Sequence, residues 1–205
     1  MPNLEKQNPD FHNTYNFIGE QIANLKVEDD YTNSRAIAEF VGQERTNKAR
    51  NLNIAILLNS HYSLHGSTVL EVGPCYGMLA SILFASHDIK RYIMIEQDYM
   101  IKFLKDFLSK KLTPEQFAKC EFYTDLNESG KHDIDFFISS ACLSEIDVET
   151  RTMILDNALS RVDSAFVVDI NHKDIVRTKF NEYFDNASER EDLIPMHKVY
   201  HGSKD

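Results

Sequence analysis

Thr68-Val-Leu-Glu-Val-Gly-Pro-Cys-Tyr-Gly-Met-Leu-Ala80 is the stretch that decides the fold. It opens as an apolar β-type run, interrupted by Glu71 and closed by Gly73, with a second glycine at Gly77. A helical pattern starts at once. A strand, a tight turn and a helix start in direct succession let the backbone press close to a bound nucleotide-like ligand, because glycine puts no side chain in between. The next acidic residue at a predicted strand end is Glu96, 23 residues after Gly73. That distance suits a carboxylate for ribose hydroxyls. The glycines themselves are spaced G-x-x-x-G, which is not the G-x-G-x-x-G of dinucleotide sites.

Working outward, short β-rich runs alternate with helical ones. Strands are predicted at 68–72, 92–96, 121–123, 134–139 and 165–170, and helices at 77–86, 98–110, 114–119 and 147–161. Such alternation means βαβ units and a parallel sheet. The runs around Phe136 and Phe166 lack clean polar alternation, as expected of strands covered on both faces. A helix near 173–184 and a strand near 197–201 are expected in the tail. The N-terminal third reads as helical. Phe11, Tyr15, Ile18, Ile22 and Leu25 recur at helical spacing, a polar break follows, Ser34 looks like an N-cap, and a third helix is predicted at 48–60. Residues 1–60 are therefore expected to form a helical extension or lid, with Tyr31 and Arg35 at its hinge, and residues 61–205 the sheet domain.

The chain has 205 residues, 42% of them hydrophobic and 26% charged, enough to bury one sizeable core. Its net charge of −10 argues against general binding to nucleic acid or anionic membranes, which needs clustered Lys and Arg. Lys102, Lys105, Lys110 and Lys111 read as the solvated face of a helix. The three cysteines, Cys75, Cys120 and Cys142, show neither zinc spacing nor a disulfide framework, so reduced thiols in a cytoplasmic protein are expected. The polar start of the chain is unlike a signal peptide, and no apolar run approaches membrane-spanning length.

Leu70-Glu71-Val72-Gly73-Pro74-Cys75-Tyr76-Gly77 resembles the first motif of the class I S-adenosylmethionine-dependent methyltransferases. The family often has glycine where Cys75 stands. The resemblance covers about residues 50–171 and implies a Rossmann-like α/β fold: a mostly parallel sheet flanked by helices, here with the N-terminal helical extension. It implies S-adenosylmethionine as cofactor, with Glu71, Gly73, Pro74 and Gly77 in the binding loop. Tyr92-Ile-Met-Ile-Glu96-Gln97-Asp98 matches the second motif. By resemblance Glu96 holds the ribose hydroxyls and Gln97 lies beside the adenine. Two vicinal hydroxyl donors do suit a carboxylate with two acceptor oxygens. Asp125, with Leu126 after it, matches the position of an acidic partner for the adenine amino group, or is a turn residue.

Ser139-Ser140-Ala-Cys-Leu-Ser-Glu145-Ile146 follows the fourth strand, where it would face the ligand crevice of an open sheet. It also resembles a serine- and glutamate-bearing stretch of the group called sugar O-methyltransferases. On that resemblance Glu145 points toward the acceptor; otherwise Ser144 and Glu145 start the next helix. Methylating a hydroxyl needs a base, because a neutral alcohol is a poor nucleophile. The candidates sit at strand ends, Glu145 after the fourth and Asp169, Asn171 and His172 at and after the fifth, with His61, His65 and His201 behind them; Glu145 and His172 are put first, His172 because a free imidazole titrates near neutrality. Asp169 and Asn171 are only a fragment of a metal site, so no metal is assigned.

The expected function is transfer of a methyl group to an oxygen of a small molecule, a sugar or a nucleotide-activated sugar. Neither nucleic acid nor membrane is expected as partner, and a homodimer is left open. No Asn-Pro-Pro-Tyr-type stretch follows the fourth strand, against methylation of amino groups on bases or glutamine. The alternatives are a scaffold subunit that keeps the fold without transfer, and an NAD-dependent oxidoreductase. The latter has the wrong glycine spacing, and the chain is expected to lack the Tyr-x-x-x-Lys pair of such enzymes.

Overall fold

The computed structural model describes residues 44–170, 175–194 and 197–204. The helices expected at 11–26 and after Ser34, with Tyr31 and Arg35, lie outside them. Helix α1 spans Glu44–His61, strand β1 Thr68–Val72, α2 Met78–Ser86, β2 Arg91–Ile95 and α3 Asp98–Lys111. The short α4, Pro114–Phe117, leads to β3, Cys120–Tyr123. A 3-10 turn at Leu126–Lys131 precedes β4, Phe136–Ser140, and another at Leu143–Glu145 precedes α5, Val148–Ser160. Then come β5, Ser164–Ile170, α6, Ile175–Tyr183, β6, Ser188–Ile194, and β7, His197–Ser203.

The strands form one sheet in the order β3-β2-β1-β4-β5-β7-β6. β1 lies parallel to both β2 and β4, β2 to β3, and β4 to β5, while β7 runs antiparallel between β5 and β6. The chain moves outward from β1 to β3, then returns to lay β4 on the other side of β1. The direction of winding therefore reverses between β1 and β4, and the crevice beyond their carboxyl ends is where an open α/β sheet binds ligands.

Each face of the sheet carries its own core. On one, Ile54 and Leu58 of α1, Met78 and Leu83 of α2 and Leu104 and Leu108 of α3 cover Val69, Met94 and Ile138. On the other, Leu155 and Leu159 of α5 and Val176 and Phe180 of α6 cover Leu70, Phe137 and Val167. The alternation of Val69 and Leu70 between the two cores is the period-two geometry of a strand, and all five residues of β1 are buried. The apolar side of α1 packs into this body, so the described part of the expected extension is joined to the sheet.

Element boundaries follow from side-chain capture of the backbone. β4 begins at Phe136 and not at 134, because the Asp135 carboxylate accepts the Thr68 N–H at 2.7 Å and closes the entry to the sheet. α4 is a single turn held by a reciprocal cap between Thr113 and Gln116. β6 was not expected from the sequence. Ser-Glu-Arg-Glu-Asp-Leu-Ile is too charged to read as a strand, yet it lies at the sheet edge, where charge deters pairing with another chain.

Candidate functional site

The turn after β1 is shaped by backbone conformation. Gly73 has φ +76°, and a Cβ there would lie 2.3 Å from both Cβ and Sγ of Cys142. The chain leaving β4 thus presses on this glycine, while the Gly73 N–H donates to the Ile95 carbonyl at 3.0 Å and pins the loop to the end of β2. Cys75 adopts φ +56°, a left-handed conformation that strains a non-glycine residue by about 1–2 kcal/mol. Glycine at this place in the resembling family has that physical reason. Gly77, at φ +92°, has a different duty. A Cβ there would meet Leu104 at 2.7 Å and Leu108 at 2.9 Å, so its bareness seats α3 beneath the loop. Its N–H donates to the carbonyl of buried Pro74 at 2.9 Å, closing the turn before α2.

Glu96 follows β2 directly. One carboxylate oxygen accepts the Cys75 N–H at 2.9 Å across the loop, and the other accepts the Gln97 N–H at 2.8 Å. It is not a helix cap: the N-cap of α3 is Gln97, which makes no side-chain capping bond. Burial raises the Glu96 carboxyl above its usual range, the two N–H donors oppose that, and nearby Glu145 adds to it. Each oxygen retains acceptor capacity for a hydroxyl donor. Gln97 is exposed beside it. Asp125 is also exposed, but one of its oxygens already accepts the Asn127 N–H at 2.8 Å and the Asn127 amide at 2.9 Å, the turn role foreseen as its alternative. Leu126 is buried in the second core.

Glu71 lies deeper, only 1% exposed. Its carboxyl accepts a hydrogen bond from the buried Tyr92 hydroxyl at 2.9 Å. Burial pushes its pKa up to about 8, the Tyr92 bond opposes the rise, and Glu96 adds to it. Tyr92 had no local signal as a partner, because it contacts Glu71 only through the pairing of β1 with β2.

The β4 side is assembled over longer distances. Ser139 is buried, and its hydroxyl donates to the Val72 carbonyl at 3.0 Å, so it ties β4 to β1 and offers no open hydroxyl to a ligand. The Ser140 and Ser144 hydroxyl oxygens are enclosed and have no hydrogen-bond partner among the described residues. Ala141 takes φ +56°, with its N–H donating to Val168 at 2.7 Å. The Ser144 N–H donates to buried Asp169 at 3.0 Å, and buried Arg151 donates to the Ile146 carbonyl at 2.8 Å. Asp169 and Arg151 thus hold the turn that presents exposed Glu145 on the Glu96 side. Asp169 did not stand out as a holder of this turn, since only the pairing of β5 with β4 brings it there. Cys142 lies among Glu96, Glu145, Asp169 and Glu71. Burial first, and then the carboxylates of Glu96, Glu145 and Asp169, push its thiol up to about 12, so it stays neutral. His172 and Asn171 lie outside the described residues.

Two features elsewhere offer no comparable site. One Tyr-x-x-x-Lys spacing does occur, Tyr200 to Lys204, contrary to the sequence expectation. Tyr200 is buried in mid-strand, and the Lys204 amine donates to the Leu159 carbonyl at the opposite end of the sheet from the crevice. A depression lined by Glu149, Thr152, Met153, Asp156 and Asn157 is an open patch on the outer side of α5. Among the described residues, no helix is long and apolar enough to cross a membrane.

No protein-family model matches the chain, and no curated protein does. Solved structures do, 824 chains in all, so the likeness is in fold and not in recognisable sequence. Mitomycin 7-O-methyltransferase is similar with a TM-score of 0.61 and 11% identity, covering 96% of this chain and 67% of that one. An O-methyltransferase family protein from Burkholderia thailandensis gives 0.58 and 11%, covering 95% and 71%. A Pyrococcus horikoshii protein assigned as an RNA methyltransferase gives 0.56 and 14%, covering 75% and 82%. The chain has the Rossmann-like fold of these methyltransferases, in agreement with the sequence expectation.

Proposed function

We propose that this protein is an S-adenosylmethionine-dependent methyltransferase acting on an oxygen of a small molecule, with a sugar or sugar derivative as the acceptor class. The observation that carries the reading is the hydrogen bond from the Cys75 N–H to Glu96, which joins the β1 loop to the end of β2, next to the crevice between β1 and β4. It places a two-oxygen acceptor beside a turn whose backbone is bare at Gly73. That combination fits a nucleoside with free ribose hydroxyls.

In this reading Glu96 accepts the ribose hydroxyls, and Gln97, Asp125 and Leu126 border the adenine. Glu71, Gly73, Pro74 and Gly77 form the loop beneath the amino-acid end, and Ser140 lies at the β4 side of it. S-adenosylmethionine, when bound, supplies a methyl group activated as a sulfonium. Glu145 accepts the proton of the acceptor hydroxyl, so that an alkoxide-like oxygen and not a neutral alcohol takes the methyl group. His172 is the second candidate for that proton. On this half the enclosed Ser144 hydroxyl has no hydrogen-bond partner among the described residues and so has hydrogen-bonding capacity left. The acidic chain disfavours a polyanionic acceptor, since an RNA backbone would meet net repulsion.

The test is formation of S-adenosylhomocysteine with panels of free sugars, nucleotide-activated sugars and phenols, alongside RNA. Turnover on hydroxylated small molecules is expected. Turnover on RNA alone would overturn the acceptor class, and binding of NAD in place of adenosyl compounds would overturn the reaction.

A further inference from the structure

Glu71 is an unusual residue to enclose. A carboxylate taken out of water is stable only with a cation or several donors around it. Here the carboxyl is 1% exposed and, among the described residues, has one side-chain donor, the neutral Tyr92 hydroxyl at 2.9 Å. Among the described residues, the other titratable groups that act on it do not favour a charge. Glu96 stands at the end of β2, Cys75 in the loop and Cys142 after β4, both of the latter within electrostatic range of Glu71. Arg50 of α1 is a cation near this loop, and its action reaches Cys75. Tyr92 in turn is flanked by Cys120. A group so placed keeps its proton, and its pKa of about 8 agrees.

We infer that the Glu71 carboxyl is a binding-linked acid, which gives up its proton when the ammonium group at the amino-acid end of an adenosyl cofactor enters the loop above it. The inference rests on the functional reading above. The only bond broken is the carboxyl O–H, and the proton passes to the solvent buffer. The carboxylate left behind retains the Tyr92 hydrogen bond and gains a positive neighbour, so charge is exchanged for charge within the site. Linkage fixes the sign. Free protein holds the proton up to about pH 8, and the complex does not, so raising the pH toward that value strengthens binding. The gain is roughly tenfold per pH unit well below that value and levels off above it.

Calorimetric titration of S-adenosylmethionine at pH 7, in two buffers of different ionisation enthalpy, counts the protons released. Wild-type protein is expected to release close to one proton more per site than Glu71→Gln, a comparison that cancels the ligand's own ionisation. Adenosine, which lacks the charged end, is expected to release none. Between pH 6 and 7 the wild-type affinity should rise about tenfold relative to Glu71→Gln. Equal proton counts in the two proteins, or equal release with adenosine, would overturn the inference while leaving the functional reading intact. No binding of the cofactor by wild-type protein would overturn both. If Glu71→Gln fails to fold, the infrared difference spectrum of wild-type protein decides: a protonated-carboxyl band should vanish on adding the cofactor, and its persistence would refute the idea.

Discussion

The two halves of the crevice are built by different means. At the ends of β1 and β2, the loop is defined by backbone conformation, with Gly73, Cys75 and Gly77 at positive φ and the Cys75 N–H donating to Glu96 at 2.9 Å. At the ends of β4 and β5 the shape is held by side chains. Asp169 takes the Ser144 N–H, Arg151 takes the Ile146 carbonyl, and Ser139 is tied to β1. A backbone-defined half suits a ligand part that stays constant. A side-chain-defined half can vary its acceptor without disturbing the other.

The largest expected effect separates the halves by function. Glu145→Gln should lower kcat by about 100- to 10,000-fold, the range for loss of a positioned general base. Cofactor affinity should stay within about twofold, because Glu145 is peripheral to the ribose contact. Steady-state kinetics with equilibrium binding checks both. An equal loss of cofactor affinity would merge the halves, and a collapse on His172→Ala with Glu145→Gln near wild type would move the base.

Next comes a place where the halves press on each other. Gly73→Ala should destabilise the fold by about 2–4 kcal/mol, combining left-handed strain with overpacking against Cys142. Chemical denaturation of Gly73→Ala, Cys142→Gly and the double variant forms a cycle. A coupling above about 1 kcal/mol is expected. Additive effects would mean that the contact does not set the loop. A smaller change is expected at Cys75→Gly, which relieves left-handed strain but adds freedom to the unfolded chain. A net gain of up to about 1 kcal/mol should appear as a modest rise in Tm, and a loss would show that the Cys75 side chain holds the loop.

The same contrast explains what the sequence made legible. Residues 68–80 announce their strand, turn and helix because each step depends on neighbours, and Glu96 is found by its distance from Gly73. The five parallel strands could be read from their apolar runs. Three things could not. The bond from Tyr92 to Glu71 exists only once β1 and β2 pair. The role of Ser139 depends on Val72 lying beside it in the sheet, so it reads as a ligand contact and folds as a tie. The charged edge strand β6 looks like a loop until β7 gives it a partner. Gly77 was legible as a turn residue, but its crowding by Leu104 and Leu108 belongs to packing.

The division of labour is tested most directly by titrating S-adenosylhomocysteine into wild-type, Glu96→Gln and Glu145→Gln proteins. Wild-type protein should bind one equivalent. Glu96→Gln should bind about 10- to 100-fold more weakly, the loss of charge-assisted hydrogen bonds worth about 1.5–3 kcal/mol, and Glu145→Gln should match wild type. Unchanged affinity in Glu96→Gln, or no binding by the wild-type protein, would contradict the assignment of the β1–β2 half to the cofactor.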